Sequence, residues 1–183
     1  LNATKIETQK LPAFDVVRIG PSGNSVIAGR AAPRSTVIIK DNEKPIGKII
    51  ADSNGEWVFL PQSPLNSGTR KLSLEMITED GDKIVSDEVV LLVVPEEVTD
   101  IAGSSSKESK VLALKIQTND GPSTLMQSPS GSSSKGLLIE TIDYGDTESL
   151  MINGKADANK LINIYLDDKF FGQAISNEQG IWR

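Results

Sequence analysis

The stretch GRAAPRSTVIIKDNEKPIGKIIADSNGEW, Gly29 to Trp57, is met again as GKADANKLINIYLDDKFFGQAISNEQGIW, Gly154 to Trp182. A shift of 125 residues superimposes Gly29 on Gly154, Ala31 on Ala156, Lys44 on Lys169, Gly47 on Gly172, Gly55 on Gly180 and Trp57 on Trp182 without a gap. Apolar positions between these anchors correspond as well: Val37 with Ile162, Ile39 with Ile164, Ile46 with Phe171 and Ile50 with Ile175. One supersecondary unit is therefore present twice. Glycine permits close approach or positive φ, and a tryptophan opening a strand anchors the space between two sheets. Gly29, Gly47, Gly55, Trp57, Gly154, Gly172, Gly180 and Trp182 are thus read as structural repeat anchors. The alternative is an exposed aromatic platform for sugars, but four Phe, two Tyr and two Trp are too few for both a core and such a stripe.

Outward from the repeat, short β-rich runs separated by turn residues fill the chain, and no window shows a sustained 3.6-residue apolar period. Strands are expected over Phe14 to Ile19, Ser25 to Ala31, Thr36 to Lys40, Ile46 to Ala51, Glu56 to Leu60, Lys71 to Thr78 and Lys83 to Val94. Seven strands at this spacing predict a sandwich. Leu72, Leu74 and Met76 alternate with Lys71, Ser73 and Glu75, the pattern of a strand with one wet face. Val89 to Val94 is apolar on both faces, which calls for a cover, and Val111 to Ile116 is a candidate. Asp52-Ser53-Asn54-Gly55 supplies a turn into Trp57, and Asn66-Ser67-Gly68 and Glu79-Asp80-Gly81-Asp82 do the same for the next two strands.

Between residues 96 and 136 the composition turns serine-rich, with Gly103-Ser104-Ser105-Ser106 and Ser128 to Ser134 flanking an apolar island. The island reads as a hairpin at about 110–127, turning through Thr118-Asn119-Asp120-Gly121-Pro122 and free to dock on either repeat. The expected organisation is an N-terminal linker (1–12), a complete immunoglobulin-like β-sandwich module (13–95), a serine-rich linker carrying the hairpin (96–136), and a second, truncated module (137–183). The fold class is all-β. The second copy is expected to be the N-terminal half of a sandwich, since it ends one residue after its tryptophan.

The chain lacks histidine and cysteine, which removes the usual neutral-pH base, the thiolate nucleophile and the commonest transition-metal ligands. A carboxylate pair such as Asp167-Asp168 points to opposite faces in a strand and to water in a turn, so no catalytic residue, cofactor or metal site is assigned. A net charge of −6 and a pI near 4.8 disfavour nucleic acid as a partner. The longest apolar run, Val89 to Val94, is far below the roughly 18 residues of a membrane span.

Gly29-Arg30-Ala31-Ala32-Pro33, Thr36-Val37-Ile38-Ile39, Ile46-Gly47 and Ala51-Asp52-Ser53-Asn54-Gly55-Glu56-Trp57 together resemble bacterial Ig-like repeats of the envelope-protein type. With Phe14 to Arg18, Val111 to Leu114, Gly121 to Gln127 and Glu140 to Tyr144, nearly everything after residue 12 is similar to the middle of alphaproteobacterial proteins that end in a LysM domain. Asn177 in place of Asp52, and Asp157-Ala158 in place of Ala32-Pro33, depart from the pattern. The resemblance implies a non-catalytic spacer or scaffold in the cell envelope, periplasmic or membrane-anchored. Its implied partners are peptidoglycan, bound through a LysM domain outside these residues, and other envelope proteins. The alternatives are a carbohydrate-binding module and an adhesin-type repeat stiffened by calcium at Asp41, Asp80, Asp82, Asp167 and Asp168.

Overall fold

The computed structural model describes residues 10–20, 22–95, 111–119, 121–129, 136–144 and 149–183. Most of the N-terminal linker, both serine runs except Ser128-Pro129, and Asp120 of the hairpin turn lie outside the described residues. Those described form strands and connections, with no helix among them.

The first unit comprises β1 (Ala13–Ile19), β2 (Ser25–Arg30), β3 (Thr36–Asp41), β4 (Lys44–Ile50), β5 (Glu56–Phe59), β6 (Gly68–Ile77) and β7 (Lys83–Val94). Strands β1-β2-β5 make one antiparallel sheet, and β4-β3-β6-β7 continue through β8 (Leu112–Gln117) and β9 (Thr124–Gln127) into a six-stranded second. Phe14, Val17, Ile27 and Trp57 from the first sheet share one buried cluster with Val37, Ile39, Leu72, Leu74, Met76, Val90 and Leu92 from the second. The architecture is therefore a β-sandwich. Pro45 is tolerated because β4 is an edge strand whose missing N–H interrupts no inner ladder.

Val111 to Ile116 does not cover the outer face of β7. It pairs edge to edge instead, with Val93 opposite Leu112 and Val89 opposite Ile116. The backbone groups of an edge strand need partners more than its outer apolar side chains need a roof, since an unpaired buried N–H costs more than a half-exposed valine. The hairpin consequently belongs to the large sheet, where Val111 and Ala113 join the core, while Val93 stays exposed on the outside.

The second unit has β10 (Leu138–Tyr144), β11 (Leu150–Lys155), β12 (Leu161–Leu166), β13 (Lys169–Ile175) and β14 (Ile181–Trp182), arranged as β10-β11-β14 and β12-β13. Four of these strands have the bounds of β1 to β4 displaced by 125 residues, and β14 begins where β5 does. Even the irregularities recur: the ladder shifts between Phe14 and Val16 and between Ile139 and Thr141, and again between Ile39 and Lys40 and between Ile164 and Tyr165.

Candidate functional site

The repeat anchors act in local groups, one set per unit. A Cβ on Gly29 would lie 2.0 Å from the Ala13 carbonyl oxygen and 2.7 Å from the Trp57 ring; on Gly154 it would meet the Leu138 carbonyl oxygen at 2.1 Å and Trp182 at 2.4 Å. Glycine is thus required where the indole packs across its own sheet. Both indoles are buried, Trp57 to 3% and Trp182 to 2% exposure, and neither forms a surface for sugar stacking. Phe14 meets Trp57 edge-on at 6.3 Å between centroids. Both indole Nε1 atoms are buried without a hydrogen-bond partner among the described residues, a cost the surrounding apolar contacts must outweigh.

Gly55 and Gly180, at φ 82° and 77°, close matching loops. Each accepts at its carbonyl from the residue two after the glycine anchor, Ala31 or Ala156, at 2.8 Å. Asp52 Oδ1 accepts from the N–H groups of Asn54 and Glu56 at 2.8 Å each; Asn177 Oδ1 accepts from Gln179 at 3.0 Å and Ile181 at 2.9 Å. The loop needs only a short side-chain acceptor, which an amide oxygen supplies as well as a carboxylate. Gly47 lies under the Phe59 ring, whereas a Cβ on Gly172 would meet nothing within 4 Å.

The acidic residues considered for calcium are not brought together. Asp167 and Asp168 occupy the two-residue turn between β12 and β13 with φ of 48° and 61°, as Asn42 and Glu43 do at 45° and 66°. Positive φ at both positions is what a type I′ hairpin turn demands. Asp80 and Asp82 sit beside the β6–β7 turn, and Asp41 is paired with Arg70 inside the first sandwich. No group of three or more such ligands occurs among the described residues.

Several polar contacts had no distinct sequence signal. Arg30 grips Asp15 through two hydrogen bonds of 2.7 and 2.8 Å, and the Asp15 carboxylate holds the guanidinium above its ordinary pKa. The equivalent positions carry Lys155 and Glu140, 2.7 Å apart. Glu88 accepts from the Phe14 N–H at 3.1 Å and from Lys115 Nζ at 3.0 Å, while Lys115 also donates to the Phe14 carbonyl at 3.2 Å. This trio satisfies the bulged β1 backbone from β7 and β8. Beyond it, the Gln127 side chain accepts from Ile19 N–H and donates to Ile19 C=O at 2.9 and 2.8 Å, linking β9 to β1 by amide instead of by ladder.

The β8–β9 connection also reaches the second unit. Ser123 N–H donates to Asp143 Oδ2 at 3.2 Å, and Asn153 Nδ2 donates to the same oxygen at 3.1 Å and to Thr141 Oγ1 at 2.9 Å. Thr141, Asp143 and Asn153 stand where the first unit has Val16, Arg18 and Ala28. A polar socket has therefore replaced apolar and cationic residues on one copy alone. The Asn153 amide nitrogen is engaged twice there, while Asn153 Oδ1 is buried without a hydrogen-bond partner among the described residues.

No protein-family model matches the chain, and no curated protein matches it.

Proposed function

We propose that this chain is a non-catalytic spacer or scaffold built of immunoglobulin-like sandwich repeats, belonging to a cell-envelope protein that associates with peptidoglycan through a LysM-type domain outside these residues. The carrying observation is the duplicated unit whose tryptophans, with Gly29 and Gly154 beneath them, are taken up by packing across the sheet, and which is joined to its neighbour through Ser123 and the Asp143–Asn153–Thr141 socket. A spacer needs stiff units and a defined joint, and its outer surface carries no chemical demand. Acidic turns such as Asp167-Asp168 have a conformational role that suffices to account for them.

The envelope assignment rests on the resemblance of the repeat pattern, and a binding assay tests it. The chain is expected to remain in the supernatant when purified peptidoglycan sacculi are pelleted. Saturable co-sedimentation of the chain itself would place the glycan site within the β-units and overturn the spacer reading.

A further inference from the structure

In the first unit the β5–β6 connection, residues 60–67, walls a cavity of about 620 Å³ together with residues of β3, β4, β5 and β6. That volume lies within the roughly 300–1,000 Å³ of small-ligand sites. The connection is fixed in advance: Pro61 and Pro64 restrict its φ, Leu65 is buried, and Leu65 N–H donates to the Gly23 carbonyl at 2.9 Å. On the side of β4 the Phe59 ring lies against Gly47, where a Cβ would come within 2.1 Å of it. Leu60, 63% exposed, carries this apolar wall out to the surface.

The polar part of the wall is incompletely bonded. Asp41 is 3% exposed, and its Oδ2 accepts from Arg70 Nε at 2.6 Å and from Arg70 Nη2, while its Oδ1 is buried with no partner among the described residues. A buried carboxylate oxygen without a donor is costly to keep, so a donor supplied from the cavity gains more there than it would in water. Arg70 Nη1 reaches the Asn66 carbonyl only at 3.4 Å, a long bond that leaves its N–H groups available. Lys48, at the rim, is exposed and takes no partner among the described residues.

We infer that this cavity is a binding site for an apolar monocarboxylate with an N–H beside its carboxylate, the chemistry shared by the last residue of a peptide and a free N-acylated amino acid. The carboxylate meets Arg70 Nη1 with Lys48 at the rim, the N–H completes the bonding of Asp41 Oδ1, and an aliphatic side chain lies on Phe59 and Leu60. With Arg70 balanced by Asp41, Lys48 is the one unpaired cation in the wall, which matches a single negative charge and not a di- or triphosphate. The site goes beyond the spacer reading and does not rest on it.

Titration of the isotope-labelled full chain with N-acetyl-L-leucine, followed by amide chemical shifts, tests the site. Saturable shifts at Gly47, Lys48, Leu60 and Gln62 are expected, with a Kd on the order of 1 mM for so small a ligand. N-acetyl-L-leucine amide, which lacks the charge, and isocaproate, which lacks the N–H, are each expected to bind at least about 5-fold more weakly. Lys48→Met is expected to weaken binding by about 3-fold or more, and Leu60→Asp, at an exposed position that the fold does not need, to abolish it. A peptide ending in leucine that binds about 10-fold more tightly than acetyl-leucine supports the site and assigns it to a protein C-terminus; equal affinity supports it for the free N-acylated amino acid. The absence of saturable shifts at these amides up to about 20 mM, or equal affinity for the acid and either control compound, overturns the proposal.

Discussion

At the scale of single residues, the two copies preserve contacts more faithfully than they preserve letters. Ser35 Oγ donates to the Ala32 carbonyl at 2.6 Å, and Ser176 Oγ donates to the Asp157 carbonyl at 2.6 Å. Those carbonyls are equivalent, yet the serines are not: Ser35 corresponds to Lys160, and Ser176 to Ala51. The same corner is tied from opposite strands, and a position-by-position alignment scores both sites as mismatches. Ser35→Ala and Ser176→Ala are each expected to cost about 1 kcal/mol in urea unfolding, since each removes a side-chain hydrogen bond that ties the corner. Introducing Ser at Ala51 beside Ser35→Ala should restore part of the loss. Gly29→Ala forces a Cβ into the Ala13 carbonyl and is expected to cost about 2 kcal/mol or more, followed by indole fluorescence; Gly172→Ala meets open space and should stay within about 0.5 kcal/mol. Glu75, hydrogen-bonded to Lys40 at 2.6 Å, is held below its usual pKa by that bond, against the opposing effect of burial. Because the folded value is depressed, its stabilisation is present above the ordinary glutamate range and is lost as pH falls through the folded value. Glu75→Gln is thus expected to lower stability by about 1 kcal/mol or less near neutrality, with the gap closing at acid pH.

At the scale of elements, alternation and turn chemistry carry most of the reading. Leu72, Leu74 and Met76 fall inward as their spacing requires, and Asp52 to Gly55 form the loop that feeds Trp57 inward. Strand ends were less legible: β6 starts at Gly68 and β4 at Lys44, ahead of the expected Lys71 and Ile46, because ladder pairing extends past the apolar residues. The role of Val111 to Ile116 was hidden for a different reason. Two-sided hydrophobicity in β7 is compatible with a roof or with a neighbour, and composition does not distinguish a face from an edge. Glu88 and Lys115 were silent in the sequence, since a long-range pair leaves no local pattern. Lys115→Met would strip the buried Glu88 of its cation and is expected to cost about 3 kcal/mol. A double-mutant cycle with Glu88→Gln should show strong coupling, whereas additive losses would mean the pair does not bridge β7 and β8 to β1.

At the scale of the whole molecule, two copies of one β-unit meet at the β8–β9 connection, where Ser123 N–H donates to Asp143. The duplication was legible because glycine and tryptophan resist replacement where backbone and indole touch. The joint was not, because Thr141, Asp143 and Asn153 read individually as ordinary strand and turn residues. Since the chain has no native cysteine, spin labels can be placed at the equivalent exposed positions Ser53→Cys and Glu178→Cys without background. Pulsed electron–electron distance measurement between them tests the spacer reading most directly. A single narrow distance, broadened by Asp143→Ala with Asn153→Ala, is the expected result. A broad distribution already present in the otherwise unaltered chain, and insensitive to those changes, would contradict it.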